Sequence, residues 1–209
     1  MHPRTEQFFC ILCLGSLILT FGCIGPTEKT YQYTLTPITD SPSATQKTKE
    51  ILPGKILIMP VQLAALLQHP GILSRPDETT VHITHTHTWA VPLDRQLTTV
   101  LTQNLRHLLK SPNIFVYPGP KYAQFKYRVE VHMEDFSMTG KSFNTQATWT
   151  INDSKTQRVL KYSSFTDTRE PTLADYQHQV KAGSKAVEEM SKQIAKAFID
   201  LRPPLLKSD

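Results

Sequence analysis

Residues 125–139 read FKYRVEVHMEDFSMT, and their alternation decides the fold class. Phe125, Tyr127, Val129, Val131 and Met133 are apolar, while Lys126, Arg128, Glu130, His132 and Glu134 between them are polar or charged. A two-residue period puts one set on each face of a strand. One face is then wet, which favours antiparallel neighbours. After Met133 the parity slips, since Phe136 and Met138 fall one residue late. An extra residue near Glu134–Asp135, a β-bulge, returns both to the apolar face. Thr139-Gly140-Lys141 turns into a second strand with Ala147, Trp149 and Ile151 aligned. Asn152-Asp153-Ser154 then turns into a third over Arg158–Thr166. The result is a β-meander.

Two amphipathic helices flank it. Pro92 opens the first, at a position where its missing N–H is harmless. Leu93, Leu97, Val100, Leu101, Leu105, Leu108 and Leu109 recur at spacings of three and four, and Ser111-Pro112 ends the helix. The second begins at Pro171-Thr172 and carries Leu173, Tyr176, Val180, Val187, Met190, Ile194, Phe198 and Leu201 on its stripe, with Pro203-Pro204 as its stop. Gly183 falls on that stripe and allows either close packing or a bend. Its polar face mixes Glu188 and Glu189 with Lys192 and Lys196, which marks a core helix rather than a membrane-surface one.

Upstream, Tyr31–Thr36 (YQYTLT) reads as a strand. Thr39–Glu50 is a polar loop. Lys55–Val61 (KILIMPV) reads as a central strand buried on both faces and ended by Pro60. Gln62–Asp77 is broken: Leu63, Leu66 and Leu67 fit one helical turn, Pro70-Gly71 interrupts, and Ile72 and Leu73 follow. Its apolar residues either complete the core or form an exposed contact patch. Asn113–Tyr117 is a short strand. The fold class is therefore α/β, a single domain with a mixed, partly antiparallel sheet and two main helices packed on one face.

The N-terminus sets the compartment. A weakly charged start is followed by a nearly uninterrupted apolar run from Phe8 to Cys23. That length suits a signal peptide and is short for a spanning helix of roughly twenty residues. The run closes on Leu19-Thr20-Phe21-Gly22-Cys23, the pattern a lipoprotein signal peptidase reads. Residues 1–22 are expected to leave as a signal peptide, and Cys23 is expected to be acylated, with palmitate among its chains. Two or three chains hold a protein on a membrane where one would not. Residues 23–30 form a tether, 31–201 the domain and 202–209 a tail. Cys10 and Cys13 leave with the signal, so no thiol remains for a disulfide or a cysteine metal site. Ile24 rather than aspartate follows Cys23, which favours the outer membrane. The net charge of +5 is scattered, and nucleic acid is not an expected partner.

Three histidines interrupt this picture. VHITHTHTW, residues 81–89, carries His82, His85 and His87. On one strand His85 and His87 share a face about 7 Å apart. They would share a metal only with a further ligand such as His69 or His132. The other reading is a row of solvent-facing strand histidines at an exposed edge, leading to Trp89. No GxSxG, HExxH or phosphate loop is present, and no spacing singles out a catalytic triad. No enzyme activity and no cofactor are expected.

The order of motifs is specific. It runs from the lipobox through Tyr31, Tyr33, Thr34 and Leu35, a buried strand ending in Pro60-Val61, and Ile72-Leu73-x-Arg75. Trp89-Ala90-x-Pro92-Leu93 then opens a helix with Val100-Leu101-x-x-Asn104-Leu105. The Asp135-Phe136 strand end, the Trp149 strand and Ser191-x-x-Ile194-Ala195 follow. This resembles the ABC-type transport auxiliary lipoprotein family, of the PqiC (paraquat-inducible) type. The departures are the polar insert after Tyr33, the weak lipobox, and Ala64-Ala65-Leu66-Leu67 where the family favours a Tyr-Leu-Asp-Arg-like stretch. The resemblance implies a non-catalytic lipoprotein on the periplasmic side of the outer membrane. Its implied partners are an MCE-domain protein forming a transport tube and an inner-membrane permease. A homo-oligomeric ring would suit such docking. Two alternatives stand beside it: an outer-membrane assembly lipoprotein, and a metal- or pH-responsive module built on His82–His87.

Overall fold

The computed structural model describes residues 28–39, 54–77, 79–173 and 175–201. The signal peptide, Cys23, most of the polar loop after Thr39, and the tail with Pro203-Pro204 lie outside these residues. The elements, in order, are β1 (Tyr31–Tyr33), β2 (Lys55–Ile58), β3 (Gln62–Leu63), a 3₁₀ turn (Ala65–Gln68), β4 (Gly71–Arg75), β5 (His82–Trp89), α1 (Leu93–Leu109), β6 (Ile114–Val116), β7 (Phe125–Thr139), β8 (Ser142–Asp153), β9 (Val159–Arg169) and α2 (Tyr176–Asp200).

Strand β7 is the spine. One edge pairs antiparallel with β8 over its whole length, and β8 pairs antiparallel with β9. The other edge is shared in sequence by three short parallel strands: β2, then β3, then β4. Beyond β2 lies β6, parallel to it. Beyond β4 lies β5, antiparallel, and then β1, parallel to β5. The α/β class, the mixed sheet and the meander expected from sequence are all present. The third meander strand runs to Arg169 rather than Thr166.

The bulge falls where the parity slip puts it. Met133 faces Ala147 and Asp135 faces Gln146, so Glu134 is the unpaired residue. Tyr127, Val129, Val131, Met133, Phe136 and Met138 are consequently all buried. Both helices cover that face. Leu93, Leu97, Leu101, Leu105 and Leu109 of α1 and Val187, Met190, Ile194 and Phe198 of α2 are buried in one core with it. On β2, Ile56, Leu57 and Ile58 are all buried, as expected of a strand flanked by β7 and β6.

Four details differ from the sequence reading. Helix α2 starts at Tyr176, because Asp175 caps it by accepting the His178 N–H at 2.8 Å. Leu173 therefore precedes the helix and is exposed. Ile72 and Leu73 belong to a strand, β4, not to an irregular stretch. Strand β5 lies between β4 and β1 in the sheet, but β1 pairs only with His87–Trp89, so His87 lies off the edge while His82 and His85 precede that pairing and stay exposed. The alternation in β5 is also broken: Gly71 faces Thr88 but Leu73 faces Ile83. The extra residues curl around the Thr84 hydroxyl, which accepts the N–H groups of Thr86 and His87 at 3.2 and 3.3 Å.

Gly183 serves close packing. A Cβ there would sit 2.7 Å from a ring carbon of Phe136 and 3.0 Å from one of Phe143. Gly183→Ala is therefore expected to push α2 off the sheet and lower stability by about 1–3 kcal/mol. A lowered urea midpoint at unchanged slope would register it.

Candidate partner-binding groove and the strap beside it

The residues Trp89–Leu93 form a junction that three segments tie down. The Trp89 N–H donates to the Pro70 carbonyl at 2.8 Å, and the Ala90 N–H donates to the Tyr33 carbonyl at 2.9 Å. Pro92 sits just before α1, and its carbonyl accepts the N–H groups of Arg95 and Gln96. The indole of Trp89 is buried and packs against Phe136, ring centroids 6.1 Å apart. Strand β5 is thus clamped at the point where it becomes α1.

Between this junction and the β3–3₁₀ segment lies an open groove of about 570 Å³. Its walls are Val61, Leu63 and Leu67 on one side and Trp89, Val91 and Leu93 on the other, with Gln68, His69, Pro70 and Asp94 completing the lining. The Val61 backbone is fixed to α1 by its N–H, which donates to Thr98 Oγ1 at 2.9 Å. The residues of Gln62–Asp77 divide between core and surface. Leu67, Ile72 and Leu73 complete the core, while Leu66 stays 42% exposed. Val91, 46% exposed, forms the groove's outer lip. The chemistry of the lining is that of a contact surface: apolar, with an imidazole, a carboxylate and an amide at its margin.

A second construction lies beside it. After β1 the chain continues as an extended strap, Thr34–Ile38, held by side chains from both helices. The Leu35 N–H donates to Gln96 Oε1 at 2.8 Å, the Thr36 N–H to Ser184 Oγ at 3.1 Å, and the Ile38 N–H to Asn104 Oδ1 at 2.8 Å. Gln96 also donates through Nε2 to the Val91 carbonyl at 2.8 Å, so one amide joins the strap to the groove lip. Asn104 donates through Nδ2 to Ser191 Oγ at 3.1 Å, joining the two helices. Buried polar groups are costly unless paired, and these are paired with backbone that has no sheet partner. Of the five, sequence reasoning marked Asn104 and Ser191 but not Gln96, Thr98 or Ser184. The available signal was a polar residue set among the leucines of an apolar stripe.

Asn104→Ala is expected to leave the Ile38 N–H without its partner and the Ser191 hydroxyl with only its bond to the Val187 carbonyl, and to lower stability by about 1–3 kcal/mol. Amide exchange should quicken at Ile38 more than at Leu35, which keeps Gln96. Equal protection at both amides would contradict the strap's local role.

The other sequence candidates are scattered. Leu105 and Trp149 are core residues, and Trp149 Nε1 donates to Gln193 Oε1 at 3.0 Å. Arg75 ends β4, where its carbonyl accepts the Gly140 N–H at 3.1 Å. His82 and His85 are exposed on β5, His69 lines the groove, and His132 is exposed on β7. His87 leaves the row: its ring lies between those of Tyr31 and Tyr176, with centroids 5.1 and 3.9 Å away. Its Nδ1 shares a hydrogen bond of 2.7 Å with the Tyr33 hydroxyl. Burial, and then the nearby Asp175 carboxylate, raise the pKa of that hydroxyl above the usual tyrosine value. Among the described residues no three His, Cys, Asp or Glu side chains converge as a metal site, and no helix is long and apolar enough to cross a membrane.

The family model for the ABC-type transport auxiliary lipoprotein component matches residues 33–195. The chain belongs to this family. The match runs from the last residue of β1 into α2, and so includes both the groove and the strap. Two solved structures share the fold of this transport auxiliary lipoprotein. One is a crystal structure of an uncharacterized protein, 19% identical, covering 81% of this chain and 99% of its own, with a TM-score of 0.66. The other is protein XCC0632 from Xanthomonas campestris, of family model DUF330. It is 17% identical, covers 82% of this chain and 95% of its own, and also has a TM-score of 0.66. A search of curated proteins returned no matching sequence. Membership places the chain among envelope lipoproteins that assist a transport system.

Proposed function

We propose that this protein is a non-catalytic lipoprotein of the outer membrane, facing the periplasm and held by acyl chains on Cys23. Its task is to dock the periplasmic tube of an MCE-type lipid transport system, driven from an inner-membrane permease, to that membrane. The observation that carries this reading is the groove. The residues of the WAVPL junction, the most specific part of the family resemblance, form one wall of an open, mainly apolar cleft. An apolar centre with a polar rim is the usual anatomy of a protein-binding surface. A ring of copies would repeat the groove around the mouth of a tube.

Photocrosslinking from the groove lip tests the reading. A photoreactive residue at Val91 in the native membrane should yield an adduct with an MCE-domain protein. The same group at Val159, on the far edge strand, should not. Adducts from Val91 with outer-membrane barrel proteins alone would favour the assembly-lipoprotein reading instead. Replacement of Cys23 by Ser should release the protein from the membrane fraction and abolish the Val91 adduct.

A further inference from the structure

A patch of aromatic rings surrounds the point where the tether enters the domain. Tyr31, 44% exposed, stacks on His87, which stacks in turn on Tyr176 at the start of α2. Tyr33 closes the cluster from behind, its ring 5.6 Å from His87 and 6.3 Å from Tyr176. The Lys29 ammonium lies 5.1 Å from the Tyr31 ring centroid, on the chain leading to the anchor. Leu173, 56% exposed, precedes Tyr176 by three residues. None of these residues belongs to the groove.

We propose that this Tyr31–His87–Tyr176 cluster is a membrane-seating surface, which rests in the headgroup layer beside the lipid anchor and fixes the orientation of the domain on the bilayer. The proposal rests on the reading that Cys23 carries the anchor. Tether length selects the occupant. Tyr31 lies eight positions after Cys23, and even a fully extended chain spans only about 28 Å over that distance. Tyr31, the first strand residue among the described residues, is itself in the cluster, so whatever face the domain turns to the bilayer must lie near it. The chemistry agrees with the position. Tyrosine has an apolar ring and a polar tip and accumulates where hydrocarbon meets water, and a lysine on an aliphatic stem can lay its charge among lipid phosphates. The stacked rings are held by register, since Tyr31 lies opposite His87 in the β1–β5 pair. Such a surface is rigid before it meets the membrane.

The test separates seating from natural lipidation. In the chain from residue 23 onward, Cys23 is the only cysteine, so its thiol can be coupled to a maleimide-bearing lipid. The carrier is a phosphatidylethanolamine–phosphatidylglycerol vesicle. Tyr31→Trp reports contact at the cluster, and Val159→Trp reports it at the opposite sheet edge. Both native tryptophans are buried. Phospholipid brominated on its acyl chains should quench the indole placed at position 31 by roughly twofold and leave the one at 159 unchanged. Equal quenching at both positions, or none at 31, would overturn the proposal, because the domain would then tumble or stand clear of the bilayer. A chain that seats when coupled, but whose Cys23 carries no acyl group when recovered from cells, would retain the surface and refute the natural anchor.

Discussion

Gly71→Ala should lower the stability of this domain by about 3 kcal/mol or more, an unusually large effect for one added methyl group. The added Cβ would lie 2.0 Å from the carbonyl oxygen of Thr84 and 2.8 Å from Cγ2 of Ile83. The first contact is with backbone, which cannot rotate aside as a flexible side chain would. Nor is Thr84 free to shift, since its hydroxyl holds the N–H groups of Thr86 and His87. Relief requires β4 and β5 to part, and with them the bond between the Trp89 N–H and the Pro70 carbonyl that closes one end of the groove. A urea titration followed by circular dichroism checks the magnitude. Gly140→Ala is the control. That glycine has φ +58° but open space around its would-be Cβ, so the expected loss is only about 1 kcal/mol. A loss at Gly71 no greater than at Gly140 would show that the hairpin yields easily.

Trp149→Ala is the second large effect, expected at about 3–5 kcal/mol. The side chain is 1% exposed and sits on β8, with the β7 residue Val131 directly opposite. Its Nε1–H donates to Gln193 on α2, so the substitution opens a cavity and also frees a hydrogen-bond partner at the sheet–helix boundary. Trp149→Phe separates the two contributions, because it keeps most of the ring and loses the N–H. That variant should lose about 1–2 kcal/mol. If Trp149→Phe were as damaging as Trp149→Ala, the hydrogen bond rather than the packing would dominate.

The parts of the fold that could be read from sequence are those with local periodicity. The alternation of β7, its bulge at Glu134, the leucine stripe of α1 and the core stripe of α2 each span enough residues to declare their period. Strands β3 and β4 could not be read this way. At two and five residues they are too short to show alternation, and they exist because β7 offers a long edge that β2 alone does not fill. The same cause hid the setting of the histidines. The His87–Trp89 end of β5 becomes internal only because β1, much earlier in the chain, pairs with it. The Thr84 curl then takes His87 out of the row and into the tyrosines, where the pattern His85-Thr86-His87 suggested a shared face. The groove was half legible. WAVPL could be singled out as a junction, but the opposite wall depends on which leucines of Leu63–Leu67 turn inward. A 3₁₀ turn between two short strands decides that, not a helical period.

The strap gives the anchored protein a mechanical character. If Cys23 carries the proposed anchor, a force on it reaches the domain at β1, then at Leu35, Thr36 and Ile38 in turn, each fastened by a separate helix side chain. These fasteners act in series and lie outside the β7–β9 meander. Under tension between the membrane and a docked partner, residues 31–38 can let go first and lengthen the leash by roughly 28 Å. Apart from β1, the sheet and both helices would remain folded throughout. Such a domain could follow a moving partner without either breaking its attachment or losing its shape.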